Sequence, residues 1–153
     1  MKPSLYFPLF VDLSAKKIVV IGAGTIARRR VQVLSDFTEH ITVIASDIHA
    51  DIQILANEGK LTVIQKKYEG SDINDADIVL AATNDVILNQ KIAEHCIQKH
   101  ILVNNCSDRS QCDFYFPGII HTGDIVIGVT ANGKDHGKAK QMTEQIKKIL
   151  NRE

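Results

Sequence analysis

Tryptophan is absent from this 153-residue chain, and proline occurs only 3 times. Glycine adds only 9 residues, and 44% of the chain is apolar, so collagen, low-complexity and disordered classes are excluded. Net charge is also missing, because Lys+Arg and Asp+Glu both total 18. No global field advertises a nucleic acid or an anionic membrane, and an acidic ligand must be met by a local basic cluster. No apolar run approaches the roughly 18 residues that a membrane-spanning helix needs. The opening stretch, MKPSLYFPLFVDLSAKK, has an apolar patch broken by Pro8 and Asp12 and no small-residue cleavage site, so no secretory leader is expected. Cys96, Cys106 and Cys112 are odd in number and form no C-x-x-C pair. That disfavours a disulfide framework or zinc knuckle and points to a reducing cytoplasm. The expectation is a soluble cytoplasmic chain with no metal site, no nucleic-acid partner and no membrane partner.

What is present is an alternation of β-branched runs and helical stretches. KIVVI over 17–21 reads as a strand covered on both faces of a parallel sheet. A helical stretch follows, with Ile26, Val31, Val33 and Leu34 as its apolar stripe. Further strands are expected over 41–45, 61–65, 77–82 and 101–105. Helices are expected over 47–59 and 86–100, the second with Ile87, Ile92 and Cys96 inward. Strands separated by helices imply right-handed crossovers and an α/β, Rossmann-type doubly wound parallel sheet. After Pro117 the pattern changes to a hairpin over 118–129 and an amphipathic helix over about 138–150. The chain therefore divides into a nucleotide-binding domain over 1–113 and a C-terminal hairpin-and-helix extension over 114–153. A two-stranded hairpin is marginal alone, so the extension is expected to pair with a second copy of the chain as a homodimer.

The sharpest local signal is IVVIGAGTIA. Gly22, Gly24 and Ala27 stand in G-x-G-x-x-[GA] spacing between a strand and a helix. The first glycine permits the tight turn, the second lets backbone approach a pyrophosphate, and Ala27 permits close helix–strand packing. Thr25 and Ile26 open the helix whose N-terminus attracts the anion. At the end of the second strand, Ser46 and Asp47 suit two roles. Asp47 either bonds a ribose 2′-hydroxyl, favouring NAD over NADP, or serves as the N-cap of the next helix. Thr83 and Asn84 after the fourth strand, and Asn104 on the fifth, lie where such sheets bind ligands, although the first two also suit a helix cap.

Four segments together resemble the precorrin-2 dehydrogenase / sirohydrochlorin ferrochelatase family of sirohaem biosynthesis. They are FPLFVDLSAKKIVVIGAG, the run Ala27-Arg28-Arg29-Arg30, DIVLAATND over 77–85, and VNNCSDRSQCDFYFPGII over 103–120. The resemblance implies NAD-dependent oxidation of precorrin-2 to sirohydrochlorin on a homodimer. Precorrin-2 carries many carboxylates, so cationic side chains are expected at the cleft, with Arg29, Arg30, Arg109, Lys134 and Lys138 as candidates.

The chain also departs from the family. Members that insert iron usually carry an Asp just after the fifth strand, where this chain has Ser107, with Asp108 one step later. Ser107 and Asp108 are the candidate catalytic positions. A one-residue shift can reverse side-chain direction at a strand end, which puts chelation in doubt. Gly133 to Lys138 replaces a G-x-S-P pattern, and larger members continue into a helical region beyond the matched length. Two alternatives stay open: a bifunctional dehydrogenase and ferrochelatase, and a non-enzymatic NAD(H)-sensing module.

Overall fold

A computed structural model describes residues 5–151. Residues 12–114 form one compact unit, and residues 5–11 with 115–151 form another. The first holds strands β1 (Ile18–Ile21), β2 (Ile41–Ala45), β3 (Thr62–Gln65), β4 (Ile78–Ala81) and β5 (Leu102–Asn105). All pair in parallel, in the order β3-β2-β1-β4-β5. Helices α1 (Thr25–Leu34), α2 (Ala50–Asn57) and α3 (Val86–Gln98) make three of the crossovers. The connection from β3 to β4 holds only a 3₁₀ turn, Gly70–Ile73. The Rossmann-type α/β sheet expected from the alternation is present.

β1 is central, and all four of its residues are buried, which explains why IVVI is apolar without alternation. Register pairs Ile21 with Ile44 on one side and Ala81 on the other. These residues share a face with Val19, Val79 and Val103, against Ile92, Ala93 and Cys96 of α3. Val20, Val43 and Leu80 are in register on the opposite face and are wholly buried. Full burial of each such side chain is worth roughly 1.5–3 kcal/mol.

The two ends of this sheet differ, and the carboxyl end corrects the expected helical stripes. Ile26 is 50% exposed and Ile87 is 67% exposed, while Ala27 and Asn89 take the inward positions. With 3.6 residues per turn, Ile26 falls to one side of the buried line Ala27, Val31 and Leu34, and Ile87 falls opposite the buried line Asn89, Ile92, Ala93 and Cys96. α2 begins at Ala50, not Asp47, because His49 is its cap: His49 Nδ1 accepts from the Asp51 N–H at 3.2 Å. α3 stops at Gln98, not His100, because His100 turns to φ +57° and the Ile101 N–H returns to the Cys96 carbonyl at 2.9 Å.

In the second unit, β6 (Gly118–Thr122) pairs antiparallel with β7 (Ile125–Val129) through a turn at Gly123-Asp124. Gly123 sits at φ +54°, a conformation glycine adopts without a Cβ penalty. α4 (His136–Leu150) packs on β6, capped by Asp135 Oδ1, which accepts from the Lys138 N–H at 2.9 Å. A Cβ at Gly118 would run into Thr143 Oγ1, so glycine sets how closely helix and strand approach. The expectation put 1–113 together, but residues 5–11 group with this unit. Tyr6 ties them in: its ring meets Tyr115 edge-on at 4.5 Å, and its N–H donates to Asn132 Oδ1 at 3.2 Å. Those partners lie more than 100 residues away in sequence. Among the described residues, no helix is long and apolar enough to cross a membrane.

Candidate nucleotide site

The carboxyl ends of β1, β2, β4 and β5 converge where the strand order reverses beside β1, the place where open α/β sheets bind ligands. Gly22 leaves β1 at φ +106°, donating its N–H to the Ile44 carbonyl at 2.9 Å. A Cβ there would lie 2.6 Å from the Ala82 carbonyl carbon and 2.8 Å from the Thr83 nitrogen. Gly24 differs. It is the N-cap of α1 in extended backbone, φ −79° and ψ −167°, and an added Cβ would meet only Asn84 Oδ1 at 3.7 Å. The fold itself does not require glycine at 24.

Side chains cap α2, α3 and α4, through His49, Asp85 and Asp135. Among the described helices α1 alone has no side-chain cap, and no acidic residue stands in its first turn. The first N–H groups of a helix have no intrahelical partner, and the helix dipole makes that end attractive to an anion. Thr25 and Ile26 are exposed at that end, and Ala27 is buried beneath it. The cradle therefore fits a dinucleotide pyrophosphate, in chemistry and in space. At the end of β2, Ser46 and Asp47 are exposed, and Gln65 Nε2 holds the Ser46 carbonyl at 2.9 Å. His49 is the cap of α2, so Asp47 does not fill the capping role that was one of its two expected roles.

The ends of β4 and β5 are joined by one buried amide. Asn89 Oδ1 accepts from the Thr83 N–H at 3.0 Å and the Thr83 hydroxyl at 2.7 Å. Its Nδ2 donates to the Thr83 carbonyl at 3.0 Å and to Ser107 Oγ at 2.6 Å. Asn89 belongs to none of the sequence motifs described above. Its signal was a polar residue on the stripe it shares with Ile92, Ala93 and Cys96, at helical spacing. Asn84 is exposed beside the glycine loop, whereas the cap of α3 is Asp85, accepting from the Ile87 and Leu88 N–H groups.

Several candidates take other places. Asn104 is 2% exposed, its Nδ2 donates to the Phe114 carbonyl at 2.7 Å, and its Oδ1 accepts from Arg30. Arg30 also reaches Cys106 Sγ at 2.9 Å. The pair anchors α1 and the segment after Cys112 to β5. Asp108 Oδ1 accepts from the Ser110 N–H and hydroxyl at 2.8 and 2.7 Å, capping a 3₁₀ turn over Arg109–Gln111. Those bonds hold its carboxyl below the usual carboxylate range. Arg29 and Arg109 are exposed in this unit, while Lys134 and Lys138 belong to the hairpin unit. Burial pushes the Cys106 and Cys112 thiols up, against the pull of nearby Arg30, so neither is an activated nucleophile.

An uncapped helix behind two glycines, at the switch point of a parallel sheet, defines a dinucleotide-binding protein. Residues 9–118 match the family described as "Putative NAD(P)-binding", and the chain belongs to that family. It is 40% identical over 144 residues to the "Probable multifunctional siroheme biosynthesis protein HemA" of Ruminiclostridium josui, covering 94% of this chain and 28% of that protein. It is 30% identical over 145 residues to the siroheme synthase of Buchnera aphidicola subsp. Acyrthosiphon pisum, covering 95% of this chain and 31% of that one. The chain thus spans less than a third of the length of these curated relatives. A solved structure, "SirC, precorrin-2 dehydrogenase", matches with TM-score 0.81 and 26% identity over 94% of this chain and 70% of that one. The family resemblance carried by the four sequence segments is borne out.

Proposed function

We propose that the chain is an NAD-dependent precorrin-2 dehydrogenase, oxidising its substrate to sirohydrochlorin in sirohaem biosynthesis. The observation that carries this is the open N-terminus of α1 behind Gly24, in a chain similar over 94% of its length to a precorrin-2 dehydrogenase. NAD supplies the hydride acceptor when bound, and the substrate loses one further proton to the medium. The chain's own part is binding and orientation. Gly22, Gly24, Thr25 and Ile26 face the pyrophosphate, and Asp47 takes the adenosine ribose, favouring NAD over NADP. Thr83, Asn84 and Ser107 line the approach to the reacting end, with Arg29 and Arg109 available to substrate carboxylates. Lys134 and Lys138 are further candidates for that role. Dehydrogenation is favoured over metal insertion because Ser107 is a weak proton acceptor and Asp108 is committed to its turn. The test is an anaerobic absorbance assay with precorrin-2. NADH is expected to form from NAD, and NADPH from NADP at least ~10-fold more slowly; binding of NADH without turnover would favour the sensing module instead.

A homodimer in a reducing cytoplasm belongs to the same reading. In the hairpin unit Ile120 and Thr143 alone among the described residues are buried, while Phe7, Leu9, Phe10, Ile125 and Ile149 are at least 60% exposed. A monomer rarely leaves so much apolar surface in water. Sedimentation at micromolar concentration is expected to give twice the chain mass, and Ile125→Glu to shift it toward one. A monomeric wild type would remove this part of the reading.

A further inference from the structure

Asn89 performs none of the binding roles just described, yet it is wholly buried and uses both ends of its amide. Thr83 fixes how that amide is turned. Its backbone N–H must meet Oδ1, and its backbone carbonyl must meet Nδ2, so only one orientation satisfies both. Nδ2 then has one direction left for its second hydrogen, and there it finds Ser107 Oγ at 2.6 Å. The serine oxygen accepts in that bond, so its own hydrogen points elsewhere. Ser107 is exposed at the carboxyl end of β5, with its backbone N–H held by Asn105 Oδ1 at 2.9 Å.

We propose that Asn89 is a positioning residue that locks Thr83 and Ser107 together and directs the Ser107 hydroxyl outward as a hydrogen-bond donor to an acceptor oxygen of the bound ligand. The inference rests on the proposed reading that this crevice binds nucleotide and tetrapyrrole. Two oxygens share the required chemistry, the carboxamide carbonyl of the nicotinamide and a carboxylate of the substrate. A hydroxyl aimed in this way selects oxygen acceptors, a role unlike that of a carboxylate at the same position. A buried amide also costs little to keep, because all four of its bonding directions are met.

The experiment titrates NADH and sirohydrochlorin separately against the full chain, its Ser107→Ala and Asn89→Asp variants, and the double variant. Asn89→Asp is near-isosteric and keeps an acceptor for the Thr83 N–H. It leaves the Thr83 carbonyl without its donor and puts an acceptor oxygen beside Ser107, which turns that hydroxyl inward. Ser107→Ala is expected to weaken one ligand ~5- to 10-fold. Asn89→Asp should weaken that same ligand at least as much, and the double variant should be no weaker than Asn89→Asp within ~2-fold. Loss of NADH affinity places the acceptor on the nicotinamide; loss of sirohydrochlorin affinity alone places it on the substrate. Losses that multiply, or a Ser107→Ala protein that binds both ligands normally, overturn the proposal. Should Asn89→Asp fail to fold, Ser107→Cys replaces it, since a thiol donates weakly. It should then match Ser107→Ala, and wild-type binding would overturn the proposal. A wild-type chain that binds neither ligand removes the crevice reading itself, whereas normal binding by wild type and variants alike removes only the role of Asn89.

Discussion

Gly24→Asp is expected to melt no lower than the parent chain and to bind NADH ~100-fold more weakly, a loss of about 2.7 kcal/mol. The two halves of that result have separate causes. Position 24 has an extended backbone that any residue adopts, and a Cβ there meets only Asn84 Oδ1, at an ordinary contact distance of 3.7 Å. Aspartate is also a preferred N-cap, better than glycine by a few tenths of a kcal/mol. The new carboxylate would accept the α1 N–H groups that now have no side-chain cap, which is the place the pyrophosphate takes. Stability is kept or gained while the anion site is filled from within. A thermal melt beside a fluorescence titration with NADH checks both halves, and NADH affinity within threefold of wild type would sink the assignment of this helix end.

Gly22→Ala should behave in the opposite way, costing stability first. Its φ of +106° is closed to residues with a Cβ, and the added carbon would lie 2.6 Å from the Ala82 carbonyl carbon. Neither side can retreat easily. The Gly22 N–H is bonded to the Ile44 carbonyl at 2.9 Å, and the Ala82 N–H to the Ile21 carbonyl at 2.8 Å. Backbone strain of roughly 1–3 kcal/mol adds to overpacking of roughly 1–3 kcal/mol. A loss of ~2–6 kcal/mol is expected, and with it a fall in Tm of ~4–24 °C. A variant that melts within 2 °C of wild type would show that the turn relaxes in a way this geometry does not allow. The pair separates a glycine required by the fold from a glycine left open for the ligand.

Much of this was legible before any coordinates, and the reason is local. β2 over 41–45 and β7 over 125–129 fall where their β-branched runs place them. The strand–loop–helix context of Gly22 and Gly24 lies within ten residues, so the cradle could be read along the chain. Burial was less legible at the sheet's carboxyl end. Ile26 and Ile87 stand beside the apolar stripes in sequence, yet each lies off the helix face that its buried neighbours define. Asn104 and Arg30 looked like ligand contacts because of their positions on β5 and α1. Only the distance between those elements shows that they hold each other.

The sequence by itself determined the parallel sheet, the glycine loop and the family, because each depends on residue order and near-neighbour spacing. Tertiary structure decided three other things. It made His49 the cap of α2 and so left Asp47 at the end of β2 without that task. It also grouped residues 5–11 with the hairpin unit and joined Thr83 to Ser107 through Asn89. Hydrogen bonds of this kind link groups far apart along the chain, and a buried amide is turned by whichever backbone groups surround it. No periodicity or motif encodes that, because it exists only once the strands have been laid side by side.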